Sequence, residues 1–113
     1  MPPFRVALIQ HCAEDDLDRN LAHLSDALKR ACGAGAAWIC LPEYCGLMTP
    51  TDEQARERAC PEDSHPVLAW ATAAAREHGV WLLAGSIAVR QPNGQLRNRS
   101  LLISPTGAVT ARY

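Results

Sequence analysis

Residues 36–43 read Ala-Ala-Trp-Ile-Cys-Leu-Pro-Glu. Ala36 to Leu41 is an apolar run of strand length. Pro42 stops it, because proline has no N–H to give to a sheet ladder. Glu43 therefore stands just past the carboxyl end of a strand, where open parallel sheets bind their ligands. A carboxylate there, between Leu41 and Tyr44, is expected to be partly withdrawn from water and so to serve as a general base. The plainer reading of the same residues is a solvated carboxylate at the opening of a loop.

Upstream, Phe4 to Gln10 (FRVALIQ) is another apolar run, expected to be a strand covered on both faces. Asp15 or Asp16 can cap a helix whose positive end favours early acids. Leu17, Leu21, Leu24, Leu28 and Ala31 then form one stripe at spacings of four and three. Gly33 and Gly35 end that helix. Downstream, Tyr44 to Pro50 reads as a loop. Thr51 with Gln54 resembles a capping box for a short helix over 52–60. Pro61 to Pro66 breaks the chain. Leu68, Ala71, Ala74 and Ala75 mark a helix over 67–78, closed by Gly79. Val80 to Val89 is a long apolar strand, and Gln91-Pro92-Asn93-Gly94 is a hairpin turn. Ser100–Ser104 and Ala108–Tyr113 are two further strands around the turn Pro105-Thr106-Gly107.

The order β-α-β-(short α)-α-β-β-β predicts an α/β fold. Two right-handed crossovers give neighbouring parallel strands, and a hairpin adds the edge. The last strand has no closing element after it, so the sheet is expected to be incomplete over 1–113.

The chain has 113 residues, of which 48% are hydrophobic and 20% charged. That composition is globular, and a chain of this length hides roughly two thirds of its unfolded surface. A net charge of −1 argues against nucleic acid or an anionic membrane as partner. No apolar run approaches a membrane span, and Met1 to Arg5 lacks the layout of a signal peptide. Five cysteines, an odd number, then point to reduced thiols in the cytoplasm.

Other candidates for chemistry carry plainer alternatives. Gln10 and His11 follow the first strand and so share its carboxyl end; His11 is a possible base or a loop side chain. Cys45 is imaginable as a nucleophile, but nothing near it in sequence supplies an oxyanion donor. Cys40 is expected in the core, as are Trp38, Trp70 and Trp81. Cys40, Cys45 and His11 can be drawn as a metal site, yet no zinc-type spacing supports one. Gly33-Ala34-Gly35 ends a helix and is no phosphate loop. Asn98-Arg99-Ser100 matches a glycosylation sequon that matters only in a secreted protein.

Several pieces together resemble the amino-terminal part of the carbon–nitrogen hydrolase (nitrilase) superfamily, in its small amidase branch. They are Gln10 closing a strand, Asn20-Leu21, Gly35-Ala36, Leu41-Pro42-Glu43, Gly85-Ser86-Ile87, Asn98 before Ser100-Leu101, Pro105-Thr106-Gly107 and Tyr113. The resemblance implies the first half of an α-β-β-α sandwich, with a mixed sheet carrying helices on one face. It implies a catalytic glutamate, lysine and cysteine, with Glu43 as the base, a small amide substrate, no metal or organic cofactor, and homo-oligomers at full length. The family's lysine and cysteine fall beyond Tyr113, and Lys29, the only lysine, cannot replace the first. On this reading the chain as given is inactive. Arg97 and Arg99 depart from the family's usual neighbours of Asn98. A non-catalytic α/β domain binding a ligand or partner is the alternative. If one sheet lacks its partner, the strand Val80–Val89 is expected to leave apolar side chains exposed.

Overall fold

A computed structural model describes residues 2–113. Five strands form one sheet in the order β1 (Arg5–Leu8), β2 (Ala36–Cys40), β3 (Trp81–Arg90), β4 (Leu96–Ile103), β5 (Val109–Arg112). β1, β2 and β3 run parallel; β4 and β5 add antiparallel. Helix α1 (Leu17–Gly33) crosses from β1 to β2, and α2 (Asp52–Arg58) with α3 (Pro66–His78) lies between β2 and β3. The mixed sheet with its two crossovers and terminal hairpin is the predicted fold class.

The helix stripes and one sheet face make one core. Leu24 and Leu28 of α1 and Val67, Ala71, Ala74 and Ala75 of α3 pack on Ile39, Leu82, Ala84, Leu101 and Ile103. The alanines let α3 lie close to the strands beneath it. Trp70 of α3 donates its Nε1–H to Ser25 Oγ of α1 at 2.9 Å, tying the two helices together.

Helix ends follow local chemistry. Asp16 caps α1, accepting from the Arg19 N–H at 3.0 Å, and Thr51 caps α2, accepting from Gln54 N–H at 3.2 Å. α2 stops at Arg58, not at residue 60 as expected. Cys60 is drawn instead into a parallel bridge with Val89, its carbonyl accepting from Arg90 N–H at 2.9 Å. α3 begins one residue early, with Pro66 in its first turn and His65 as its cap. β4 begins at Leu96, four residues before the expected start, because the turn at Gln91–Gln95 zips Leu96 onto Arg90. Gly94 supplies the positive φ of 84° that this turn needs.

The second sheet face differs from expectation. β1 is an edge strand, and the described residues place no layer over the face opposite the helices. Phe4, Val6 and Leu8 are therefore 58%, 46% and 76% exposed, where a strand covered on both sides was expected. Val6, Trp38 and Trp81 share a register row, and Trp38 stacks on Trp81 with ring centroids 5.7 Å apart. Trp38, Trp81 and Cys40 lie on this half-open face and not in the helix-covered core. β3 was expected to leave apolar side chains exposed. Trp81 and Leu83 do reach this half-open face, but only partly exposed, because β3 sits in the middle of the sheet between β2 and β4.

Candidate active site

Glu43 is reached from the end of β2 by a path that β3 dictates. The Leu41 N–H donates to Leu83 O at 2.9 Å, continuing the ladder for one more residue. β3 is then irregular between Ala84 and Ile87. There Pro42 passes so close over Gly85 that a methyl group on Gly85 would stand 2.5 Å from the Pro42 carbonyl. Only glycine permits that approach. Ser100 Oγ donates to the Gly85 carbonyl at 2.6 Å and holds the irregular strand from the β4 side.

The residues after Glu43 are pinned twice. Ser86, buried beneath them, accepts from Tyr44 N–H through Oγ at 3.0 Å and from Cys45 N–H through its carbonyl at 3.3 Å. These bonds hold Tyr44 at φ 48°, a left-handed conformation that costs a non-glycine residue of order 1–3 kcal/mol. Asn20 of α1 supplies the second anchor. Its Nδ2 donates to Glu14 O at 2.7 Å and to Gly46 O at 2.9 Å, while its Oδ1 accepts from Glu14 N–H at 3.0 Å. The loops that follow β1 and β2 are thus stitched together at the carboxyl end of the sheet.

Glu43 itself is exposed, which corrects the expectation that it is partly withdrawn from water. It emerges toward the half-open face, where no described layer covers it. It is nevertheless held, since Asn98 Nδ2 of β4 donates to Glu43 Oε1 at 2.7 Å. A groove of about 1130 Å³ is lined by Tyr44, Met48, Ala55, Val67, Leu96 and Asn98 among others; it includes the neighbour and the partner of Glu43 but not Glu43 itself.

The other candidates are not gathered around this carboxylate. Gln10, His11 and Cys12 line a separate depression of about 720 Å³ with Glu14, Arg19 and His23. Burial pushes the His11 imidazole below its ordinary value, His23 lowers it further, and Glu14 opposes them. Cys45 is fully buried, and burial pushes its thiol up to about 11 against backbone hydrogen bonds from Cys45 and Gly46. It stays protonated and is no nucleophile. Lys29 is exposed on α1. Cys40, Cys45 and His11 do not converge, and among the described residues no group of three or more metal-ligating side chains does. Arg99 faces the helix side, where its guanidinium bonds Glu62 at 3.1 Å. Its departure from the family pattern is thus accounted for locally, away from Glu43.

Sequence reading named Asn20, Ser86 and Asn98 as parts of a pattern but assigned them no task. For Asn20 a signal was present: it lies three residues after Leu17 and four before Leu24, a polar amide on the apolar stripe. A buried amide at such a position needs partners, and those partners turn out to be the loops of the site.

A lone carboxylate fixed at the strand-end mouth of a mixed α/β sheet defines a class of protein with its site built on loops at one end of the sheet. The family follows from comparison. The model of the family described as carbon-nitrogen hydrolase matches residues 5–113, and the chain belongs to that family. Among solved structures it is similar to an amidase from Nesterenkonia sp., at 28% identity and TM-score 0.84, covering 97% of this chain and 41% of that one. A mutant of the Nesterenkonia sp. AN1 amidase, carrying acrylamide added to its active-site cysteine, matches at 27% identity and TM-score 0.84, covering 98% and 43%. The C. elegans NitFhit protein shares the fold, with TM-score 0.85 at 21% identity, over 96% and 26%. The chain therefore spans between about a quarter and two fifths of the length of these structures. Its family acts on carbon–nitrogen bonds, and among the described residues no helix is long and apolar enough to cross a membrane.

Proposed function

We propose that this segment supplies the general base of a cytoplasmic, thiol-dependent amidase acting on a small carboxyamide. The observation that carries the reading is Glu43, fixed past the end of β2 by Asn98 and by a loop anchored on Ser86 and Asn20. In this reading Glu43 takes the proton of a cysteine thiol carried beyond Tyr113. The thiolate adds to the amide carbon, and a lysine, also beyond Tyr113, stabilises the oxyanion. The C–N bond then breaks, the amine leaves with the proton returned by Glu43, and a thioester remains. Water attacks the thioester after giving a proton to Glu43, so the carboxylic acid is released and the thiol restored. Chain covering the half-open sheet face would also draw water away from Glu43, which the described residues do not do.

The test is turnover of simple aliphatic amides by the complete polypeptide that carries this segment. Glu43→Gln should lower kcat by at least ~10²-fold, the lower range for losing a general base. The 113-residue chain alone should show no turnover. Equal rates for Glu43→Gln and wild type would remove Glu43 from the chemistry and favour a ligand-binding domain.

A further inference from the structure

We propose that Asn98 is a positioning residue for Glu43, fixing one carboxylate oxygen from a rigid strand so that the other is presented to the reacting proton. This inference rests on Glu43 being the base. Glu43 is exposed, and an exposed glutamate otherwise samples many rotamers. Asn98 is exposed as well, but it stands on backbone paired with Ala88 in the β3–β4 ladder, and its shorter side chain reaches the carboxylate from there. The 2.7 Å between Asn98 Nδ2 and Glu43 Oε1 is the short separation of an N–H donating to a charged oxygen. Among the described residues no donor reaches Oε2, so that oxygen keeps its lone pairs for a proton.

The residue type matters as well as the distance. An arginine or lysine here would also hold the carboxylate, but its charge would make Glu43 a poorer base. A neutral amide directs it without adding charge. The flanking residues leave Asn98 to this task. Strand alternation sends Arg97 and Arg99 to the opposite face, where Arg99 is engaged with Glu62. Ser100, next on the same face as Asn98, holds the Gly85 carbonyl under the Pro42–Glu43 turn. Two successive residues on one face of β4 thus serve the same carboxylate, one through its backbone path and one through its side chain.

The experiment compares Asn98→Ala, Asn98→Asp and Glu43→Gln in the complete polypeptide, with kcat and KM measured on an aliphatic amide. Asn98→Ala should lower kcat by ~10- to 100-fold with KM within about twofold, the effect of a misplaced reacting group. Asn98→Asp keeps the shape but removes the donor and sets a like charge beside the carboxylate, so its kcat should fall at least as far. A merely structural asparagine would lower the melting temperature and leave kcat of the folded variants in place. Unchanged kcat in Asn98→Ala, with Glu43→Gln inactive, overturns the positioning role alone. Full activity in Glu43→Gln overturns the general-base reading beneath it.

Discussion

Ser86 and His65 are both buried polar residues, and each is there because a backbone segment needs a partner. Ser86→Ala would strand the Tyr44 N–H, and leaving a buried donor unpaired costs about 1–3 kcal/mol. The variant should melt earlier by that amount in denaturant titration, and Tyr44 should lose its left-handed φ. His65 accepts from Val67 N–H through Nδ1 at 3.2 Å and meets Ala88 O through Nε2 at 3.0 Å. Those partners require the neutral ring with its proton on Nε2. Burial accordingly holds the imidazole below its ordinary value, with the Ala88 hydrogen bond opposing. A lowered folded value means the unfolded chain takes the proton first as pH falls. His65 thus contributes its full stability above about pH 6.5, and loses it as pH falls from there toward the folded value. His65→Asn keeps a capping oxygen but cannot titrate. Its stability should be about 1 kcal/mol lower at neutral pH and flatter below pH 6.5, with His11 accounting for the remaining slope. Neither residue's role was legible in the sequence. A cap is ordinarily read from Ser, Thr, Asp or Asn, and a histidine before a proline carries no such mark. The place of Glu43 in the chain's path, by contrast, could be read directly, because a proline ending an apolar run fixes where the next residue stands; its exposure could not.

At the level of elements, the β3–β4–β5 hairpins are tied to the helix layer by Glu62, in the single 3-10 turn Glu62–Ser64. Its carboxylate receives Arg99 Nη1 at 3.1 Å and Arg112 Nε at 2.9 Å. Burial alone would raise this carboxyl, but the hydrogen bonds and charges of Arg112 and Arg99 outweigh it and hold it below the ordinary value. The stability it contributes is therefore present above about pH 4.5 and is lost as pH falls below that. Arg112 is half exposed, so solvent screening limits the effect. Glu62→Gln should cost about 0.5–1 kcal/mol at neutral pH, and the difference from wild type should shrink in acid and in high salt. These contacts also explain where strand boundaries escaped the sequence. The first half of β4, Leu96 to Arg99, reads as polar loop because one face serves Glu43 and the other serves Glu62. The apolar half from Ser100 onward was visible because its alternate residues, Leu101 and Ile103, enter the core. α1 and α3 were visible for the same reason: burial on one stripe writes a period into the sequence, and long-range polar contacts write none.

For the whole molecule, the two sheet faces are unequal. One is sealed by α1 and α3; the other presents Phe4, Val6, Leu8, Trp38, Leu83 and Leu102 with no described layer above them. The row is most exposed on β1, an edge strand whose outer hydrogen-bonding side has no strand partner among the described residues. Fully burying a side chain such as Leu8 yields about 1.5–3 kcal/mol, so a patch of several provides a driving force comparable to the entropic cost of association. The isolated 113-residue chain is accordingly expected to self-associate weakly and in proportion to concentration, and to bind apolar dyes. Val6→Lys with Leu8→Lys places charges on the exposed edge, a device that blocks edge and face pairing. Because Leu8 stands largely in water and Val6 about half in it, the double variant should change unfolding free energy by about 0.5 kcal/mol or less per substitution. Sedimentation velocity over a range of concentrations separates the cases. Wild type should shift to heavier species as concentration rises, while the double variant stays monomeric with an unchanged melting curve. A wild-type chain that sediments as a monomer throughout would show that this exposed apolar row is too small to drive association, and the expectation that the face calls for a cover would fall.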